Sequence, residues 1–243
     1  MLDFSDNKIK EITKNIFKLE ELRILKIQKN ELMKLPEISL QCNSLTELDL
    51  SSNKLTELKE DIGNLSSLIN VNLSKNCLKE IPKSFSEKCG KIRKINLSNN
   101  KITKLSNVSW KIKEIDLSGN EINDLNDFLK SVKETLEIIY CNQNKISFLT
   151  KDDFQMKFLS EIYCSENKMK SFDFRPFPSL TVLDFNKNLL NKIDPSLLLL
   201  SSLKRLDLSN NSLKSLLPEI GLMNLTSFSA KGKNMNHKKY KNK

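Results

Sequence analysis

The chain has one histidine, His237, and five cysteines, Cys42, Cys77, Cys89, Cys141 and Cys164, set among 30 carboxylates. Nucleophilic catalysis of the Ser–His–Asp or Cys–His kind needs an imidazole beside the nucleophile to take its proton. His237 stands in a lysine run near the C-terminus, remote in sequence from every cysteine, so neither arrangement can be assembled. A zinc site using two histidines is excluded on the same count. The five glycines are scattered, without the clustered spacing of a loop that cradles phosphate. The carboxylates stand in no recognisable catalytic context. No catalytic residue, no metal, no cofactor and no small-molecule substrate are therefore expected, and the chain reads as a non-enzyme.

The cysteine count is odd and the thiols do not cluster at the ends, which argues against an oxidising, disulfide-stapled setting. Cys141 and Cys164 occupy apolar positions of one recurring phrase and read as small buried hydrophobes. The opening Met-Leu-Asp-Phe-Ser-Asp lacks the basic-then-apolar plan of a secretory signal. The expected location is the cytoplasm, with the nucleus as the alternative. Glycosylation sequons at Asn64, Asn72, Asn96, Asn107 and Asn224 follow from the repeated Asn-Leu-Ser wording and are expected to be silent. Net charge is +10, but six lysines between Lys231 and Lys243 account for most of it, leaving +4 over the rest.

The elements that would carry any functional side chain are set by an internal repeat. Leu45-Thr-Glu-Leu48-Asp-Leu50-Ser-Ser-Asn53-Lys-Leu55 recurs in frame with its asparagine at Asn7, Asn30, Asn53, Asn76, Asn100, Asn120, Asn144, Asn167, Asn188 and Asn211, spaced 20 to 24 residues apart. This pattern, LxxLxLxxNxL, resembles the leucine-rich-repeat family, intracellular type, over about residues 2 to 229. The resemblance implies an α/β solenoid of about ten repeats plus a degenerate last one. It also implies a curved parallel β-sheet on the concave face, with short helices, 3-10 turns and extended segments on the convex face. Leucines two apart enter the core because strand side chains alternate. The asparagine offers both a donor and an acceptor to backbone groups inside the turn, and the family implies that these ten form a structural ladder. A single repeat cannot bury its own apolar face, so stability must come from stacking.

Residues 1–230 are expected to form the repeat domain and 231–243 a disordered lysine-rich tail. In the last, degenerate repeat Lys233 stands where asparagine is expected. The first repeat lacks its beginning, which suggests a start inside a larger parent chain. On the convex side, Lys83 to Cys89 reads as a helical turn stopped by Gly90. Asp127 to Glu134 reads as a helix presenting Phe128, Leu129 and Val132, and Asp194-Pro195 as a helix start. Phe174-Arg-Pro176-Phe-Pro178 forbids regular helix. Spacings of 20 before Asn120 and 21 before Asn188 leave less material on the convex side there. Trp110 is expected to pack into that side.

Partner binding is expected on the concave face, where the repeat leaves the outward residues free. The central outward row runs Asp3, Lys26, Asp49, Asn72, Asn96, Asp116, Tyr140, Tyr163, Asp184, Asp207, Ser229. Two consecutive tyrosines with Glu137, Ile138, Glu161, Glu166, Asp116 and Asp184 around them read as a binding patch suited to a basic protein partner. The expected function is a monomeric scaffold or protein-interaction module whose partner the sequence does not name. A regulatory subunit of a signalling enzyme, of protein phosphatase 1 type or in a Ras pathway, is one alternative implied by the resemblance. Electrostatic contact of the basic tail with nucleic acid or a membrane surface is the other, and the less favoured.

Overall fold

The computed structural model describes residues 1–105, 108–150 and 154–232. Among the described residues, eleven short strands lie in one parallel sheet in strict chain order: β1 (Leu2–Asp3), β2 (Ile24–Lys26), β3 (Glu47–Asp49), β4 (Asn70–Asn72), β5 (Lys94–Asn96), β6 (Glu114–Asp116), β7 (Ile138–Tyr140), β8 (Glu161–Tyr163), β9 (Val182–Asp184), β10 (Arg205–Asp207) and β11 (Ser227–Ser229). Register is uniform, so Leu25, Leu48, Val71, Ile95, Ile115, Ile139, Ile162, Leu183 and Leu206 form one buried column. The residue two further on, from Ile27 to Leu208, forms a second column, including Cys141 and Cys164. The solenoid expected from the spacing is the fold observed.

The ladder asparagines do more than close their own turns. Asn53 Nδ2 donates to Leu50 O in its own repeat (3.1 Å) and to Ile27 O in the preceding one (2.9 Å). Its Oδ1 accepts from Leu32 N, again one repeat back (2.9 Å). The same backward reach holds from Asn30 to Asn211; Asn120, for example, bonds Leu97 O, Leu117 O and Ile102 N at 2.9–3.0 Å. Each asparagine thus satisfies buried backbone groups of two repeats at once. Asn7 is exposed and donates only to Phe4 O and Ser5 O of its own turn.

One feature of the turn is invisible in the repeat pattern. The residue just before every ladder asparagine is left-handed, with φ between 52° and 68°: Asp6, Lys29, Ser52, Lys75, Asn99, Gly119, Gln143, Glu166, Lys187 and Asn210. Nine of these carry a Cβ, in a region that costs an L-residue roughly 1–2 kcal/mol. Aspartate, lysine, serine, asparagine, glutamine and glutamate all occupy the position, Asp6 beside an asparagine that makes no backward bond, so the backward bonds are not what sets this conformation.

On the convex side the two α-helices among the described residues, α1 (Lys83–Lys88) and α2 (Asn126–Val132), fall within two residues of the segments read from sequence. Phe128, Leu129 and Val132 are buried together. Gly90 does not adopt the left-handed stop conformation; α1 ends at Cys89 with φ −93°. Asp194 caps the turn Pro195–Leu199 by accepting from Ser196 N, but the turn is 3-10 rather than α. Residues 172–180 contain no helix. The two short repeats are filled by rings. Trp110 packs edge-on against Phe85 at 5.7 Å and donates Nε1–H to Phe85 O. Phe172 contacts Phe174, Phe177 and Phe185 at 4.6–5.3 Å. The bulk of a ring replaces the missing residues.

At the C-terminal end Ala230 is buried while Phe228 is exposed, as suits a degenerate repeat. Lys231 O accepts from Asn210 N (2.6 Å), so the backbone ladder runs one residue past the expected boundary. Lys233, His237 and the rest of the tail lie outside the described residues, as does the sequon residue Asn107.

Two stability measurements follow. Asn120→Ala removes the partners of three buried backbone groups and should cost about 2–4 kcal/mol in urea unfolding, against about 1 kcal/mol or less for Asn7→Ala. Equal effects would show that the backward reach contributes nothing. Gly119→Ala, at φ 68° and with the new Cβ only 2.7 Å from Asn99 Oδ1, should lose about 1–2 kcal/mol by the same assay.

Candidate functional site

Tyr140 and Tyr163 close β7 and β8 and are register partners, so their rings meet on the concave face. The centroids are 4.7 Å apart and the planes differ by 10°, a stacked pair. Tyr163 is fixed at its hydroxyl, which donates to Glu161 Oε2 (2.7 Å) and accepts from Arg205 Nη2 (3.5 Å). Ile138, Glu161, Val182 and Arg205 follow one another in the adjacent outward row. The resulting patch has two rings and two aliphatic side chains with one carboxylate locked among them.

Burial pushes the Tyr163 hydroxyl up to about 12, helped by its hydrogen bond to Glu161 and the repulsion between phenolate and that carboxylate. The Tyr140 hydroxyl is also raised, first by burial and then by Glu114 and Glu161. Both rings stay neutral at any physiological pH. They are amphipathic platforms with no role as acids or bases.

The acids expected around the pair divide into three groups. Glu137 and Glu166 are neutralised, by Lys113 at 2.7 Å and Lys187 at 2.9 Å. Glu161 belongs to the tyrosine itself. Asp116 and Asp184 each turn one oxygen onto the backbone two residues on, at Ser118 N (2.9 Å) and Asn186 N (2.8 Å). The sequence reading missed this turn. Asp3, Asp49, Asn72, Asn96 and Asp207 do the same to Ser5, Ser51, Ser74, Ser98 and Ser209. The recurring Asp/Asn-x-Ser phrase was its signal. The phrase breaks where tyrosine replaces the cap, and there Asn142 Oδ1 holds Ser165 N instead, from one repeat back (2.8 Å).

Burial of Asp184, together with Asp207 on the next strand, raises its carboxyl above the usual range. Three basic residues of the N-terminal half are paired: Lys26 with Glu47, Lys29 with Asp6, and Lys94 with Glu114. Beneath the tyrosines, Cys141 and Cys164 are buried. Their mutual hydrogen bond and then burial hold the Cys164 thiol well above its ordinary value. A thiol kept protonated is a poor nucleophile and a poor metal ligand. Among the described residues no group of three or more His, Cys, Asp or Glu side chains could hold a metal ion.

Comparison with known proteins agrees with this geometry. A family model described as leucine rich repeat matches residues 1–55 and 43–102, and a second matches 202–223, together about half of the chain. A leucine-rich-repeat protein of Leptospira interrogans superposes with a TM-score of 0.80 at 26% identity, over 90% of this chain and 56% of that one. The functional domain of InlJ from Listeria monocytogenes, which includes a cysteine ladder, gives 0.75 at 27% identity over 95% and 48%. A curated protein named adenylate cyclase, from Schizosaccharomyces pombe, is 28% identical over 166 residues. The match takes in 64% of this chain but spans only 10% of that protein. The chain thus covers about half of these solved relatives and a tenth of the curated one. It belongs to the leucine-rich-repeat family, whose fold generally mediates protein–protein interaction and whose members are typically non-enzymatic binding modules.

Tyr163 provides a test of the site geometry. Its raised ionisation means the folded state keeps a proton that the unfolded chain loses near pH 10. Stability from this group is therefore complete below about pH 10 and should be lost as the pH rises to about 12. Glu161→Gln removes the negative charge and should bring the Tyr163 titration down toward the ordinary tyrosine value, read by ultraviolet difference absorbance. An unchanged titration would mean that Glu161 does not act on the ring.

Proposed function

We propose that this chain is a non-enzymatic, intracellular protein-interaction module that holds a protein partner on its concave face, with Tyr140 and Tyr163 at the centre of the contact. The observation that carries the reading is the stacked pair, anchored at one hydroxyl by Glu161 and Arg205. An aromatic anchor already held in place loses little side-chain freedom on binding, and such residues dominate interface energies. Ile138 and Val182 extend the apolar area, and Asp116 and Asp184 bound it along the row. The buried, protonated cysteines suit a reducing compartment, where they need no partner.

A second reading, a regulatory segment of a signalling enzyme, draws on the likeness to the adenylate cyclase of Schizosaccharomyces pombe. It uses the same surface, and the identity of the captured partner separates the two. Contact of the lysine-rich tail with nucleic acid or lipid has no support from the described residues.

Affinity capture with the wild-type chain and with Tyr140→Ala/Tyr163→Ala checks the proposal. Two truncated anchors should weaken the partner by at least about 30-fold, equivalent to about 2 kcal/mol, and empty the captured band. Equal recovery by a variant of unchanged thermal stability would remove the tyrosines from the account.

A further inference from the structure

The outward row from Asp116 to Asp207 crosses five consecutive strands, β6 to β10, as acid, tyrosine, tyrosine, acid, acid, with no basic residue in it. Each of its three aspartates gives Oδ1 to a turn N–H. None of the three forms an ion pair among the described residues, whereas Glu114, Glu137 and Glu166 nearby are each bound by a lysine at 2.7–2.9 Å. Apart from Glu161, whose carboxylate is taken up by the Tyr163 hydroxyl, the unpaired acids of this part of the concave face therefore stand at the two ends of the tyrosine stack. Arg205, in the neighbouring row, is directed to the Tyr163 hydroxyl and is not ion-paired to the row's carboxylates.

Distances along the row select the shape of what fits. Parallel strands are about 4.8 Å apart, so Asp116 and Asp184, three strands distant, are separated by roughly 14 Å. An extended chain advances about 3.3 Å per residue and returns its side chains to one face at every second residue. Its first and fifth residues therefore lie about 13 Å apart on one face, with the third midway. A chain laid along the row with its first residue at Asp116 places its third over the tyrosine rings and its fifth at Asp184. Asp207 is one strand further and can share that last contact. A guanidinium between two carboxylates on neighbouring strands would offset their mutual repulsion and use its forked donors on both. An apolar or aromatic third side chain would lie flat on the stacked rings.

We propose that the row from Asp116 to Asp207 docks an extended basic segment of a protein partner, with two cationic side chains four residues apart flanking an apolar one that rests on Tyr140 and Tyr163. The inference rests on the concave-face reading above and adds the chemistry and spacing of the segment recognised. The pattern is basic–x–apolar–x–basic. Selectivity comes from spacing: a segment of the same composition with its two cations adjacent reaches only one end of the row.

The aspartates can be neutralised without disturbing the fold. Asn72 and Asn96 already occupy this position and hold Ser74 and Ser98 through the same turn, so Asp184→Asn/Asp207→Asn keeps both caps and removes only charge. The test is selection of a phage-displayed library of random seven-residue peptides on the full chain. Peptide affinities for the wild type and the variants are then measured by fluorescence polarisation at physiological ionic strength. Enrichment of Arg or Lys at two positions four apart, with an apolar or aromatic residue between them, is the expected result. At least a tenfold loss of affinity in Asp184→Asn/Asp207→Asn should accompany it. A selection yielding no binder, or binders without that spacing, overturns the proposal, as does equal affinity for the double asparagine variant. If the selected peptides need the tyrosines but ignore the aspartates, the basic-segment inference alone fails. If they bind Tyr140→Ala/Tyr163→Ala unchanged, the concave-face reading fails with it.

Discussion

The structure depends on one interaction, the asparagine side chain that reaches backward to the preceding repeat. Its amide donates to a carbonyl at the end of the previous strand, and its oxygen accepts from an N–H on the previous return path. The turn that leaves each strand would otherwise bury these groups without partners. Because the bonds run one way, from each repeat to the one before it, the stack has a polarity. Asn7 differs in bonding only its own turn, to Phe4 O and Ser5 O. The residue before each asparagine is left-handed, Asp6 before Asn7 included, and carries lysine, glutamate, glutamine or serine as readily as glycine. The paired Lys29–Asp6 and Lys187–Glu166 side chains stand on those residues, so part of the charge pattern is carried by the turn.

The same constraint determines where function can sit. Core columns, ladder and left-handed turn use most of each repeat and leave the outward strand residues and the convex segment to vary. The outward residues are themselves only partly free, since Asp or Asn in the central row caps the next turn along most of the sheet. Tyrosine cannot make that cap. At Tyr140 and Tyr163 the cap is given up, and at Tyr163 Asn142 provides a substitute from the adjacent repeat. Local turn chemistry is exchanged there for an aromatic surface. Lys26 in the same row also lacks the cap, but at Tyr140 and Tyr163 a stacked aromatic pair takes its place, which makes the concave centre the place to look for a partner.

The protein's electrostatics follow a related logic. Neighbouring strands carry side chains about 4.8 Å apart, so every outward charge has an in-register neighbour close enough to neutralise or repel it. Lys26–Glu47 and Lys94–Glu114 are neutralising pairs in one half of the molecule. Asp184 and Asp207 are a repelling one, which adds to burial in raising the Asp184 carboxyl. A net charge of +10 is therefore a poor guide to the concave face around the tyrosines, whose central row carries only acids beside them.

The fold was legible from sequence because a repeat prints its geometry many times: leucines two apart define a strand and its buried face, and ten asparagines in frame define the stack. The row holding Tyr140 and Tyr163, the burial of Cys141 and Cys164, and the outlines of α1 and α2 follow from that frame alone, because alternation and periodicity are local. What remained depended on contacts between repeats, which no single repeat encodes. The direction in which the asparagines reach, the left-handed φ before them and the filling of short repeats by Trp110 and the Phe172 cluster are of this kind. The candidate site divides the same way. Its residues could be placed side by side from register, but which of its acids were already occupied could not. Glu137 and Glu166 are bound by lysines one repeat away, and Asp116 and Asp184 are half used by turns of their own. Charge available for a partner is what remains after neighbours have bonded, and only the stacked structure decides who those neighbours are.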